Sequence, residues 1–215
     1  MSRTSRRAVI AGAGALAASH ALAQSASGPA PAAAPPAAAA LPRVTLSTGQ
    51  GDIVIELASD KAPVTCANFL RYVDAHRLNN ASFYRAMKVL PQPLTGLVQG
   101  GIKNDPKRSY PPIAHESTTQ TGLSNRDGAV SMARYAPGTA ASEFFICVGD
   151  VSSLDADPKQ PGDNQGFAVF GHVVAGMEVV KAILLSPVSA TKGADSGMVG
   201  QILDPEVAIT TVRRS

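Results

Sequence analysis

Residues 82–101 read SFYRAMKVLPQPLTGLVQGG. The stretch opens as a β-strand with one arginine, Arg85, set between aromatic and apolar neighbours. It breaks at Pro91 and Pro93, then resumes as an apolar run ending in Gln99-Gly100-Gly101. Proline cannot serve a central strand ladder, so the break reads as an interruption between two short strands. A strand arginine on its own reads as an exposed residue, and any other role for Arg85 must come from what surrounds it.

Upstream, Val44 to Ser47 and Asp52 to Leu57 alternate, or nearly so, around Thr48-Gly49-Gln50-Gly51, which predicts a β-hairpin. Pro63 opens a segment running to about His76 in which Cys66, Ala67, Phe69, Leu70 and Val73 fall at helical spacing, with proline suited to the first turn. Downstream, short apolar runs at 128–133, 143–148 and 167–174 are separated by frequent Gly, Pro, Asn and Asp. Such spacing favours a closed sheet or a sandwich over repeated βαβ units. A second helix is expected over 176–185, with Met177, Val180, Ile183 and Leu184 inward and Pro187 beyond its end, and residues 206–212 read as a last strand. The pattern is mainly β, with antiparallel strands, two helices and no internal repeat.

The two ends of the chain differ. Residues 1–23 combine Arg3, Arg6 and Arg7, a modest apolar stretch from Ala8, and Ala21-Leu22-Ala23, which is the pattern of a cleaved export signal. The paired arginines at 6 and 7 suggest the twin-arginine type. A spanning anchor needs about 20 predominantly apolar residues, and His20 and the glycines interrupt this one. Residues 24–41 are nearly all Ala, Pro, Ser and Gly and are expected to form a disordered spacer, leaving 42–215 as the folded domain. The chain carries 19 Lys+Arg against 16 Asp+Glu, and the leader holds three of the arginines, so the mature chain is formally neutral at 16 minus 16. No basic run remains for nucleic acid.

Several chemistries find no support. His76, His115 and His172 lack metal-ligand spacing and His20 leaves with the leader, so neither a metal site nor a histidine-based triad is expected. Ser189-Ala190-Thr191-Lys192 fits the S-x-x-K pattern of serine acylases but sits in a Gly/Ser/Pro-rich stretch without the companion motifs. Asp150, Asp155, Asp157 and Asp163 lack a calcium-loop register and read as a solvated loop. Cys66 and Cys147 are the only cysteines; burial as thiols is favoured over a disulfide, which an oxidising compartment would still permit.

What remains resembles the cyclophilins, the β-barrel peptidyl-prolyl cis-trans isomerases, and within them the exported bacterial members. Asp60-Lys61-Ala62-Pro63 with Asn68-Phe69 resembles the opening of the family's first helix, and Phe83-Tyr84-Arg85 its Phe-x-Arg strand. Val98-Gln99-Gly100-Gly101, the run 128–134, Ser142 to Ile146, Leu154-Asp155 and Phe167 to Gly171 follow in family order. The resemblance spans about residues 44–212 and implies a closed eight-stranded antiparallel barrel with two capping α-helices.

It also implies chemistry without metal or cofactor. Arg85 would be the catalytic donor to the proline nitrogen, and Gln99 would bind the substrate carbonyl. Leu97, Ala133, Phe145, Leu154 and Phe167 would shape the proline pocket, while the backbone of Ala133, Arg134 and Tyr135 would hold the preceding residue. Met132 falls at or beside a pocket position too, but for Met132 and Phe144 a plain place in the barrel core is an equal alternative, and neither is assigned to the site. The partners implied are proline-containing polypeptides, met by a monomer in the periplasm or otherwise outside the cytoplasm, with no stable membrane insertion after leader cleavage.

The chain departs from the family pattern in three places. The Arg85–Gln99 interval is about six residues longer than usual and puts Gly96 where the family has a pocket phenylalanine; the insertion is expected to rim or partly cover the pocket, with Leu94 filling the gap. Glu143 replaces a glutamine and is expected to face Arg85, orienting it or diverting it, so that Glu143→Gln would raise activity. Ser153 replaces a tryptophan important for binding cyclosporin, which implies weak sensitivity to that drug. The alternative to an isomerase is a binding or chaperone module of the same fold with little or no catalysis.

Overall fold

The structure, a computed structural model, describes residues 40–215. The expected leader and all but the end of the expected spacer lie outside these residues. Eight strands form a closed barrel: β1 (Arg43–Thr48), β2 (Gly51–Leu57), β3 (Ala81–Val89), β4 (Gln92–Gly101), β5 (Ala129–Met132), β6 (Phe144–Val148), β7 (Val169–Ala175) and β8 (Ile202–Arg214). Their order around the barrel is β1-β2-β7-β5-β6-β4-β3-β8, every pairing is antiparallel, and β8 closes the ring onto β1. Closure leaves no free sheet edge.

Two longer helices cap the barrel, α1 (Pro63–Asp74) and α3 (Met177–Leu185), with a single-turn helix, α2 (Thr118–Thr121), between them in sequence. The sequence pattern contained no sign of α2, since TTQT has no apolar periodicity. Cys66, Phe69, Tyr72 and Val73 of α1 and Val180, Ile183 and Leu184 of α3 are buried in the same cluster as the barrel interior. α1 has no capping side chain of its own, because Ala62 occupies the position before Pro63. Glu116 caps it from a distant loop, accepting the backbone N–H groups of Val64 at 3.1 Å and Thr65 at 2.8 Å and the Thr65 hydroxyl at 2.6 Å. A carboxylate at a helix N-terminus answers both the unpaired N–H groups and the positive end of the dipole.

The chain's aromatic residues are few, and the phenylalanines divide between two clusters. Phe69 packs on Phe144 at 5.6 Å and Phe170 at 5.1 Å, and Phe83 on Phe144 at 5.9 Å, inside the barrel. Phe145 and Phe167 meet edge-to-face at 5.4 Å in a second cluster on the outer surface of β4, β5 and β6, with Leu97, Cys147, Val151 and Val169. β6 is therefore buried on both faces. Cys66 belongs to the inner cluster and Cys147 to the outer; both are free, and burial pushes each thiol up to about 12, so neither carries a reactive thiolate at neutral pH.

The stretch read as interrupted is a continuous hairpin. β3 and β4 stay paired out to Val89 opposite Gln92, and the register jumps from Lys88–Gly96 to Val89–Gln92, so residues 93–95 form a bulge on the β4 side. At Gly96, with φ at +157°, a Cβ would lie 1.9 Å from the Met87 carbonyl oxygen. A side chain at this position is incompatible with the hairpin.

The loop readings also resolve. Ser189 Oγ accepts the N–H groups of Thr191 and Lys192, and Lys192 Nζ pairs with Asp204 at 3.0 Å, so the S-x-x-K segment is a structural turn. Asp155 corrects the reading of a solvated acidic loop: it accepts from Ser124 Oγ at 2.5 Å, Asn125 N at 2.7 Å and Asn125 Nδ2 at 2.7 Å. Among the described residues no helix is long and apolar enough to cross a membrane, and no group of His, Cys, Asp or Glu is placed to hold a metal ion.

Candidate functional site

Arg85 reaches the outer surface because β3 is bulged. The ladders to β4 and β8 both skip from Phe83 to Arg85, leaving Tyr84 without a direct partner. Regular alternation would place Arg85 on the inner face with Phe83. The extra residue instead turns Tyr84 and Arg85 outward together, and Ala86 returns to the interior at 1% exposure.

Outside, Arg85 is held at several atoms. Its Nη1 donates to Gln99 Oε1 at 2.9 Å, its Nε to Gln201 Oε1 at 2.9 Å, and its Nη2 approaches Met87 Sδ at 3.6 Å. Gln99 Nε2 donates to the Tyr84 hydroxyl at 2.7 Å, which donates in turn to Glu143 Oε2 at 2.7 Å. Burial lowers the Arg85 pKa from its ordinary value, with Tyr84 opposing the shift; an arginine still keeps its proton at neutral pH. Burial, and then the Glu143 charge, push the Tyr84 phenol up, so it stays a neutral donor.

Glu143 does not pair with Arg85, contrary to expectation. Its Oε1 accepts the N–H groups of Ile102 at 3.0 Å and Asn104 at 3.1 Å and the Ser142 hydroxyl at 3.0 Å, while Oε2 takes Tyr84. Gly101, with φ at +146°, makes room for it, since a Cβ there would lie 2.6 Å from the carboxylate. The acid is buried at 4% exposure and fully engaged as a tie between the end of β4, β3 and β6. With no Arg85–Glu143 pair to release, the expected gain on Glu143→Gln loses its cause.

Arg85 and Gln99 stand at the edge of a cavity of about 460 Å³. Leu97, Phe145, Ala133, Leu154 and Phe167 give it apolar walls, and Arg134, Tyr135 and Glu143 border it, so the cavity brings these eight together with Arg85 and Gln99. Of the two readings open for Met132 and Phe144, the structure has both in the inner core. The Arg134 side chain is 3% exposed: it pairs with Asp163 at 2.5 Å, donates from Nε to Gly166 O at 2.9 Å, and lies 5.1 Å from the Phe167 ring. It thereby ties the 157–166 loop to the pocket.

The insertion is not seen to rim the pocket: among its described side chains none of residues 88–92 and 94–96 lines it, and Leu94 is 53% exposed. Met87, together with Met198 and Ile202 from the start of β8 and the segment leading into it, also lines the cavity. Sequence reading missed Tyr84, Met87, Met198, Gln201 and Ile202. Tyr84 adjoined a recognised motif; Gln201 lay in a Gly/Ser-rich stretch whose long-range partner no local pattern announces.

A closed eight-stranded barrel bearing an apolar pocket with a fixed guanidinium at its edge defines a class, and comparison with known proteins gives its family. Residues 43–209 match the cyclophilin type peptidyl-prolyl cis-trans isomerase/CLD family. Relatives include a peptidyl-prolyl cis-trans isomerase of Acinetobacter baylyi, 37% identical over 150 residues that cover 68% of this chain and 73% of that protein. Peptidyl-prolyl cis-trans isomerase B of Escherichia coli is 38% identical over 146 residues, covering 65% and 82%. A Cryptosporidium parvum cyclophilin type isomerase, crystallised in the presence of the dipeptide Ala-Pro, shares the fold with a TM-score of 0.61 at 23% identity, covering 80% of this chain and 98% of that one. The chain belongs to the cyclophilin-type peptidyl-prolyl cis-trans isomerase family.

Proposed function

We propose that this protein accelerates cis-trans isomerisation of X-Pro bonds in exported polypeptides, with Arg85 as the catalytic donor. Amide resonance sets a barrier of about 18–20 kcal/mol, so uncatalysed exchange takes on the order of tens of seconds or more. Twisting the bond returns the lone pair to the proline nitrogen, and a donor aimed at that nitrogen binds the twisted form better than either planar one. The proline ring sits on Phe145, Leu97, Leu154 and Phe167, Gln99 meets the substrate carbonyl, and the strand end at Ala133 to Tyr135 holds the preceding residue.

The observation that carries the reading is the Arg85 guanidinium, half-buried at the edge of an apolar pocket and anchored by neutral amides, with no carboxylate bonded to it. Membership in the family supports it. The test is catalysed isomerisation of short X-Pro peptides. Wild type should be active and Arg85→Ala about 10²–10³-fold slower, the usual effect of losing a transition-state donor. Binding of the peptide with no acceleration in either protein would instead favour the chaperone-module reading.

Export, by the twin-arginine route and as a monomer, is part of the same proposal and rests on residues 1–23 and the low-complexity spacer. Mature protein beginning near residue 24 in the exported fraction is expected. Full-length protein confined to the cytoplasm overturns it.

A further inference from the structure

Gln99 lies on the strand next to Arg85 and inside a recognised motif, but the second amide holding the guanidinium does not. Gln201 accepts from Arg85 Nε at 2.9 Å across 116 residues of sequence. Its own backbone is pinned: its N–H donates to Met198 O at 3.0 Å, and its carbonyl accepts from Ala86 N at 2.8 Å, the residue following Arg85. Gln201 does not line the cavity, whereas its neighbours Met198 and Ile202 do. It therefore acts on Arg85 rather than on anything the cavity holds.

We propose that Gln201 is a positioning residue for the isomerase reaction, fixing the plane of the Arg85 guanidinium so that its free Nη hydrogens face the proline nitrogen. This rests on the isomerase reading above. An arginine side chain has several rotatable bonds, and the Gln99 bond alone leaves the fork free to swivel about Nη1. A second bond at Nε defines the plane. Arginine has five N–H donors; Gln201, Gln99 and Met87 engage three of them, which leaves two for substrate. Stabilisation of a developing lone pair depends on donors already in place, and a shift of about 1 Å in such a group can lower a rate by about 100-fold.

The inference reads out as a split between kinetic parameters. Gln201→Leu, of similar size without the acceptor, should lower kcat about tenfold and leave KM for an X-Pro peptide within about twofold, as expected when only the transition state loses support. Gln201→Glu keeps an acceptor oxygen and should recover most of the rate. In an Arg85→Lys background, which has no Nε, Gln201→Leu should have no further effect; a loss of the same size there, or a loss in KM alone, overturns the proposal. Arginine-side-chain NMR gives an arm independent of turnover. The Arg85 Nε–H resonance should exchange slowly with water in wild type and Gln201→Glu and rapidly in Gln201→Leu. If wild type shows no catalysis, the isomerase reading falls, and an unchanged resonance in Gln201→Leu overturns the clamp by itself.

Discussion

Phe144 and Phe145 are neighbours on β6, buried at 0% and 2% exposure, yet they belong to different parts of the molecule. Phe144 faces inward and meets Phe69 and Phe83; Phe145 faces outward and meets Phe167 beneath the pocket. The inner cluster is sealed by both capping helices, while the outer one is left with a cavity of about 460 Å³ on its surface. One wall of strands thus has an apolar layer on each side, one sealed by the fold itself and the other open to the cavity. Burial by itself does not separate the two layers; the face does.

The comparison can be broken most directly at that pair. Phe144→Ala should cost about 3–5 kcal/mol of stability, the usual range for a large core aromatic. Phe145→Ala should cost about half as much, because its site borders a cavity able to relax or admit water, and should lower kcat/KM by more than tenfold. Equal losses in denaturant melts, with activity of the folded fraction unchanged in both, would remove the distinction.

Glu143 sharpens it, since this residue borders the pocket but is engaged as a structural tie. Glu143→Gln replaces a two-oxygen acceptor with one oxygen and an amino group that cannot accept the backbone N–H groups. The expected result is a loss of about 1–3 kcal/mol in thermal or urea unfolding, with isomerase activity at neutral pH within about twofold of wild type. A rise in activity would restore the idea that this acid restrains Arg85.

The smallest effect is at the Arg134–Asp163 latch, half of which is exposed. The Arg134 guanidinium holds the Asp163 carboxyl below its ordinary value. A depressed carboxylate stabilises the fold above its unfolded-chain pKa of about 4, and that contribution fades as the pH falls through the lower, folded value. Asp163→Asn should therefore melt slightly below wild type at neutral pH, and the two curves should converge as the pH drops below about 4. A gap that widens in acid would contradict the sign.

The places of most strands along the chain and both capping helices were legible because periodicity and turn residues are local. The motif residues around the pocket were legible because the family resemblance supplied their roles, and the structure gathers them at one cavity. What escaped was register and long-range pairing. Nothing in SFYRAM announces that Tyr84 is bulged, although the outward turn of Arg85 depends on it. Glu116, Asp155 and Gln201 each bond residues at least 30 positions away, so spacing along the chain carries no trace of the contact. The proline-rich stretch misled for a related reason: its composition reads as a loop beside a site, whereas its pairing makes it the outer part of a hairpin.

Gly96 finally constrains the order in which this pocket can change. No side chain can be introduced there by substitution alone, because the Met87 carbonyl occupies the place where its first carbon would go. The bulged residues of the hairpin would have to be deleted first, and only then would a larger residue be tolerated. Until such a deletion, a redesign of the pocket has to work through Leu97, Met87 and their neighbours and leave this position bare.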